Sequence, residues 1–272
     1  MGKRLLDFTV ASLGLLILLP ALAATAAAVR LTSPGPAVFA QVRLGRYGRP
    51  FRMYKFRSMV ADASQRGARV TAGGDPRVTA LGRVLRRTKL DELPQLYNVL
   101  KGDMSLVGPR PEVPEFADMF PEQYRRILKV RPGITHRATL AFRGEEGILS
   151  DAQVSDSRGF YIDRVMPRKL AMYEECLTDP LLRDVWTILE TVSPWKTTRA
   201  MTAGDLMLDS PIIHNVPAFP MPVAHGSRPR HAPAPVVSYA AVAAAANDGG
   251  DIMFSGTGDE IEDVIRIVQS AR

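Results

Sequence analysis

The sequence predicts an α+β, mostly helical fold, a compact domain preceded by an apolar N-terminal helix. Three observations carry that reading. Twenty-two uncharged residues run from Phe8 to Val29. Two short alternating segments follow, and amphipathic helical stretches fill the chain to about residue 200. The 272 residues, 46% of them hydrophobic, suffice for one packed domain with extras.

The N-terminal run would make a helix of roughly 33 Å at 1.5 Å per residue. Its residues leave three readings open. Lys3 and Arg4, the Leu13–Leu19 stretch and the Ala21-Leu22-Ala23 triplet suit a secretory signal peptide. Length alone suits a single transmembrane span. A re-entrant helix suits Pro20, which removes a helical hydrogen bond inside the run. It also suits the flanks. Lys3 and Arg4 precede the run; Arg30, Arg43, Arg46, Arg49, Arg52, Lys55 and Arg57 follow it, with no acid between Arg30 and Asp62. Positive flanks resist export, and a straight span would export one of them.

Pro34-Gly35-Pro36 makes a turn, after which Val38–Arg43 and Phe51–Phe56 alternate as half-buried strands do. Gly73-Gly74-Asp75-Pro76 reads as a helix start. Val78, Leu81, Val84 and Leu85 then form an apolar face amid Arg77, Arg83, Arg86 and Arg87. A second helix is expected from Glu92 to Lys101, with Asp91 as N-cap and Gly102 closing the end. Residues 113–129 and 166–191 are helical candidates, the latter interrupted near Asp179-Pro180, and Ile134–Phe142 reads as a strand. Beyond residue 200 the texture changes. Pro211–Pro235 is proline-rich and Ala240–Ala246 nearly all alanine, which predicts a mostly disordered tail with a short acidic helix around Ile261–Val268.

The net charge of +7 is uneven. Residues 201–272 hold 4 basic and 8 acidic side chains, so the basic excess lies in the first 200 residues. Such an excess implies anionic company: nucleic acid, an anionic membrane surface or phosphorylated substrates. The long apolar run, and the lack of an aromatic-basic stacking motif, count against nucleic acid. One cysteine, Cys176, excludes an internal disulfide and a cysteine-rich zinc site. His136 and His214 lack metal-ligand spacing, and no phosphate-binding glycine loop or dinucleotide fingerprint is present.

Three clusters could carry chemistry: Lys55-Phe56-Arg57-Ser58-Met59, Asp91-Glu92-Leu93-Pro94-Gln95-Leu96 and Val107-Gly108-Pro109-Arg110-Pro111. At a helix N-terminus two adjacent acids can approach one bound group, and the backbone N–H groups there favour a phosphate. An Asp cap with Glu in the first turn is also ordinary helix chemistry. Arg110 sits on a backbone stiffened by flanking prolines, which suits a bidentate grip on phosphate; a turn with a solvated Arg is the plain alternative. Lys55 and Arg57 could neutralise a diphosphate or rest on anionic lipid.

These clusters stand in an ordered series. Gln41-Val42-Arg43, Lys55–Met59, Asp75–Thr79, Arg86, Leu90–Leu100, Gly102–Ser105, Val107–Pro111 and Arg131-Pro132-Gly133-Ile134-Thr135 together resemble the bacterial sugar transferase family. Its members are also called polyprenyl-phosphate or monotopic phosphoglycosyl transferases. The likeness covers about residues 1–200. It departs from the family pattern at Leu19, where a Ser often precedes the proline, and at His136-Arg137-Ala138-Thr139.

The resemblance implies a re-entrant membrane helix over residues 1–29, held by Lys3, Arg4, Asp7 and Pro20. It implies a compact cytoplasmic catalytic domain over 30–200, on the bacterial inner membrane, and the tail at 201–272 has no counterpart. The implied reaction moves a sugar 1-phosphate from a UDP-sugar to polyprenyl (undecaprenyl) phosphate, releasing UMP and initiating an exopolysaccharide or other surface glycan. Asp91 would be the nucleophile and Glu92 the general base, with Mg²⁺ held by Asp91 and Glu92. Arg110, Arg86, Lys55, Arg57, Gln41, Arg43 and Asp184 would bind phosphate or substrate. A homo-oligomer stays open. The rival within the same fold is a catalytically inactive membrane-surface scaffold.

Overall fold

A computed structural model describes residues 2–63, 75–145, 147–148, 157–193, 197–207 and 238–239. Helix α1 (Gly2–Thr32) contains Pro20 and runs without interruption. Arg4, Asp7, Ala11, Gly14, Leu22 and Val29, spaced at multiples of a helical turn, are buried or half-buried along one side. Leu13, Leu16, Ile17 and Leu19 are exposed on the other. The start of α1 is pinned by polar bonds. Buried Asp7 accepts from Ser105 Oγ (3.0 Å) and the Leu106 N–H (2.9 Å), and Arg4 donates to the carbonyls of Val99 and Leu100. Val29, near the other end, packs with Phe56 and Leu85.

Strands β1 (Val38–Leu44) and β2 (Pro50–Phe56) form the expected antiparallel hairpin, in register Phe39↔Lys55 and Gln41↔Met53. Helix α2 (Ala80–Thr88) starts later than Asp75-Pro76 suggests. The Thr79 hydroxyl accepts from the Gly82 N–H, while Asp75 is occupied by Arg77; Gly73 and Gly74 lie outside the described residues. Lys89 takes a left-handed conformation (φ 59°), and Leu90–Glu92 makes a single 3₁₀ turn before α3 (Gln95–Lys101). The expected helix from Glu92 is thus replaced by a 3₁₀ turn and a shorter helix, and no side chain caps either one. Gly102 (φ 100°) ends α3 as expected, donating to the carbonyls of Asn98 and Val99.

Strands β3 (Ser105–Val107) and β4 (Gly133–Thr135) pair in parallel. Between them lie α4 (Pro114–Met119) and α5 (Pro121–Ile127), the two halves of the 113–129 candidate. The strand expected over Ile134–Phe142 stops at Thr135. The His136 ring accepts from the Ala138 N–H, and Arg137–Ala141 continues as helix α6. Then come α7 (Ser157–Phe160), a π-turn (Tyr161–Val165), α8 (Met166–Glu175) and α9 (Leu181–Val192), with the expected break at Asp179-Pro180. Helix α10 (Ala203–Met207) buries Leu206 in the main core, and Tyr239 packs against the same core, so ordered packing continues past residue 200. The proline-rich stretch and the acidic-helix segment lie outside the described residues.

Candidate active site

The site is assembled from four elements. Cross-strand partners and residues two apart share a sheet face, so the hairpin register puts Gln41, Arg43 and Lys55 on one side. The 3₁₀ turn after left-handed Lys89 carries Asp91 and Glu92 to that side. A non-glycine residue at positive φ is a local cost, located where the chain must turn between α2 and the carboxylates. Arg110 arrives on the turn after β3. Gly108 and Gly133 approach so closely that a Cβ on Gly133 would stand 2.1 Å from the Gly108 nitrogen, and the Gly133 N–H donates to the Pro109 carbonyl. No larger residue fits either position.

Arg110 grips Glu92 with both terminal nitrogens, at 2.6 and 3.3 Å, and Lys55 Nζ lies 3.7 Å from the same carboxylate. Burial works to raise the Glu92 pKa, but Arg110 and Lys55 outweigh it and hold the carboxyl well below its usual range. Arg110 is correspondingly raised by Glu92. Lys55 is pushed down to about 8, chiefly by burial and then by Arg110. Alongside, Arg43 donates to Glu112 (2.9 Å), the Pro111 carbonyl and Gln41.

Asp91 is different. It is 7% exposed, its Oδ1 is buried without a hydrogen-bond partner, and it caps no helix. Burial, then the neighbouring Glu92 charge, raises its pKa, against the pull of Lys55, Lys89 and Arg86. The ordinary reading of this acid as a helix cap therefore fails, because the side chain does not reach back to the N–H groups of its own turn. An uncommitted carboxylate beside a neutralised one is a reactive arrangement.

The other sequence-selected residues scatter. Arg86 donates to Ser58 Oγ (2.9 Å) and is close enough to influence Asp91. Arg57 turns away, its NH2 donating to the Ser33 carbonyl and hydroxyl beyond the end of α1. Asp184, at the start of α9, is held by Lys3. A cavity of about 280 Å³ lies there, lined by Lys3, Asp7, His136, Tyr173 and Asp184 but by none of Lys55, Asp91, Glu92 or Arg110. The sequence reading missed Glu112, directly after Val107–Pro111, which accepts from Arg43, and Tyr173, a buried side chain close enough to Arg110 to feel its charge. It placed Gln95 in the Asp91–Leu96 cluster but gave it no role of its own.

Among the described residues no three His, Cys, Asp or Glu side chains converge as a metal cluster. Asp91 and Glu92 are hard oxygen donors of the type Mg²⁺ takes, but both Glu92 oxygens are engaged by Arg110, which leaves Asp91 as the carboxylate free of an ion pair.

The bacterial sugar transferase family model matches residues 1–174. The chain belongs to that family. It is 44% identical over 164 residues to an Aeromonas hydrophila UDP-N-acetylgalactosamine-undecaprenyl-phosphate N-acetylgalactosaminephosphotransferase, covering 58% of this chain and 38% of the relative. It is 46% identical over 155 residues to an Escherichia coli UDP-glucose:undecaprenyl-phosphate glucose-1-phosphate transferase, covering 54% of this chain and 32% of the relative. A Caulobacter vibrioides protein of the same name is 38% identical over 199 residues, covering 72% of this chain and 70% of the relative. The chain thus spans about a third of the first two relatives. In this sugar transferase family member, one helix among the described residues, α1, is long and apolar enough to cross a membrane by length and composition.

Proposed function

We propose that the protein transfers a sugar 1-phosphate from a UDP-sugar to undecaprenyl phosphate at the cytoplasmic face of the inner membrane, releasing UMP. The observation that carries this reading is the buried, uncapped Asp91 beside the Glu92–Arg110 pair, in a chain related to undecaprenyl-phosphate sugar phosphotransferases. An Asp91 oxygen attacks the sugar-bearing phosphorus; the new O–P bond replaces the bond to UMP, which leaves with the electron pair. An oxygen of the lipid phosphate then attacks the same phosphorus, and the Asp91 carboxylate departs. Lys55 and Arg110 offset the charge of the diphosphate. Glu92, kept ionised by Arg110 and Lys55, orients Arg110; a carboxylate held that acidic is a poor proton acceptor, so the lipid phosphate attacks as its dianion. One of the two carboxylates would hold Mg²⁺, whose chemistry when bound is neutralisation of phosphate oxygens. A committed charge pair and a reactive acid give no support to the inactive-scaffold reading.

Two features support a seat on one face of the membrane. Both ends of α1 pack on the same domain, through Asp7 and Ala11 at one end and Val29 at the other, which favours a seat with both ends on one side of the bilayer. Helix α9 has inverted polarity: Asp184, Thr187 and Glu190 are buried, while Leu182 (82% exposed), Trp186, Leu189 and Val192 (76%) face outward. Leu181 lies beside Gly2, which joins this apolar stripe to the start of α1. Exposed apolar surface of that extent is stable against lipid and costly in water.

The test is UMP release from a panel of UDP-sugars by the full chain in detergent with undecaprenyl phosphate. Release with one sugar, stopped by EDTA and restored by Mg²⁺, is the expected outcome. Absence of release across the panel from folded protein would overturn the proposal. The pH profile gives a second check. Lys55 is cationic below its depressed pKa, so kcat/KM should fall as pH rises through about 8. Lys55→Arg keeps its charge there and is expected to remove that alkaline limb; a limb that persists would detach Lys55 from substrate binding.

A further inference from the structure

Asp91 lies on the 3₁₀ turn and Gln95 and Asn98 on α3, four and seven residues further on, and Leu93 and Pro94 between them keep right-handed helical dihedrals. All three are buried, at 7%, 0% and 0% exposure, and all three are polar. A buried polar stripe must be hydrogen-bonded or costly. At its far end Asn98 is bonded: its Nδ2 donates to the Arg52 carbonyl (2.7 Å) and its Oδ1 accepts from the Tyr54 N–H (3.1 Å). These bonds clamp α3 to β2 on both sides of Met53, two residues before Lys55. The near end is unbonded. Neither Nε2 nor Oε1 of Gln95 has a partner, and neither does Asp91 Oδ1.

The two orphans are complementary. One is an amide donor, the other a carboxylate acceptor, on side chains separated by one helical turn, the spacing at which such groups meet. Among the described residues the remaining buried orphans belong to Arg57, which is committed to Ser33, and to Thr139 on α6. We propose that Gln95 is a positioning residue for Asp91: during the reaction its Nε2 donates to Asp91 Oδ1, leaving Oδ2 to attack phosphorus.

The electron count favours that assignment. As Oδ2 forms its bond to phosphorus and the bond to UMP breaks, the carboxylate becomes an acyl phosphate, and Oδ1 becomes its carbonyl oxygen. Water has no access to this atom, so an internal donor must orient it. When the lipid phosphate oxygen attacks the phosphorus, Oδ2 leaves with the bonding pair, charge returns to both oxygens, and the same N–H stabilises the departing carboxylate. An internal donor takes the place of solvent at both steps.

This inference rests on the transferase reading above, and the experiment separates the two. Full-chain Gln95→Met, Gln95→Asn and Asp91→Asn are compared in detergent for UMP release and thermal midpoint. Gln95→Met removes a buried unsatisfied amide at similar volume, so its midpoint is expected to hold or rise. Its kcat is expected to fall on the order of 10- to 100-fold, with the KM for UDP-sugar within about twofold. Gln95→Asn keeps an amide that is one methylene short and should fall between; it carries the kcat and KM readout if the Met variant does not fold. A kcat within about twofold of the parent in a folded variant, with Asp91→Asn inactive, would overturn the role of Gln95 alone. Full activity of Asp91→Asn would overturn the covalent mechanism, and this inference with it. A purely structural Gln95 would show the opposite pattern, a lowered midpoint with kcat retained.

Discussion

Asp91→Asn is expected to abolish UMP release, a loss of at least about 1,000-fold in kcat, while the protein stays folded and membrane-bound. The substitution keeps the size of the side chain and removes the charge that attacks phosphorus. Stability should hold or improve at neutral pH. Folding raises the Asp91 pKa, so the ionised carboxylate is less favourable in the folded than in the unfolded chain above that pKa. A neutral amide escapes the penalty, and Oδ1 has no hydrogen bond to lose. The check is UMP release with a thermal melt, together with retention of radiolabelled sugar phosphate on the protein without lipid acceptor. The parent should retain label and the variant should not. Near-normal turnover by the purified variant would sink the covalent route.

Arg110→Lys is expected to lower kcat/KM well over tenfold, about 1.4 kcal/mol or more of transition-state stabilisation. A planar guanidinium spans both oxygens of Glu92, whereas an ammonium binds as a point charge. The effect should reach Glu92, because Arg110 is the strongest influence holding that carboxyl ionised, with Lys55 second. Weakening the pair lets the Glu92 pKa rise toward its ordinary value, so the charge balance of the site changes along with the phosphate grip. Steady-state kinetics on UDP-sugar would measure this. Parent-like constants would mean that the Arg110–Glu92 pair only braces the turn after β3.

Much of the local structure was readable from the chain. The hairpin followed from alternation, the end of α3 from Gly102, and the break before α9 from Asp179-Pro180, because each depends on neighbours in sequence. The ordered motifs placed Asp91, Glu92 and Arg110 in one family pattern, and the 22-residue apolar run identified α1.

What failed depended on partners distant in sequence. Ile134–Phe142 has strand composition, but β4 ends where its short partner β3 ends, and His136 then caps a helix. Arg57 looks equivalent to Lys55 in the motif, and two-residue spacing in a strand would put both on one face, yet β2 ends at Phe56 and Arg57 meets Ser33 beyond the end of α1. Helix α9 inverts the usual polarity because Asp184 and Glu190 find Lys3 and Thr198 within the protein. The sequence by itself determined the family, the elements and which acid stands beside which. Tertiary structure decided that Asp91 caps nothing, that Glu92 belongs to Arg110, and that Gln95 waits unpaired beneath them. A side chain's hydrogen-bond partners come from whichever segments packing brings within about 3 Å, and no local pattern encodes that.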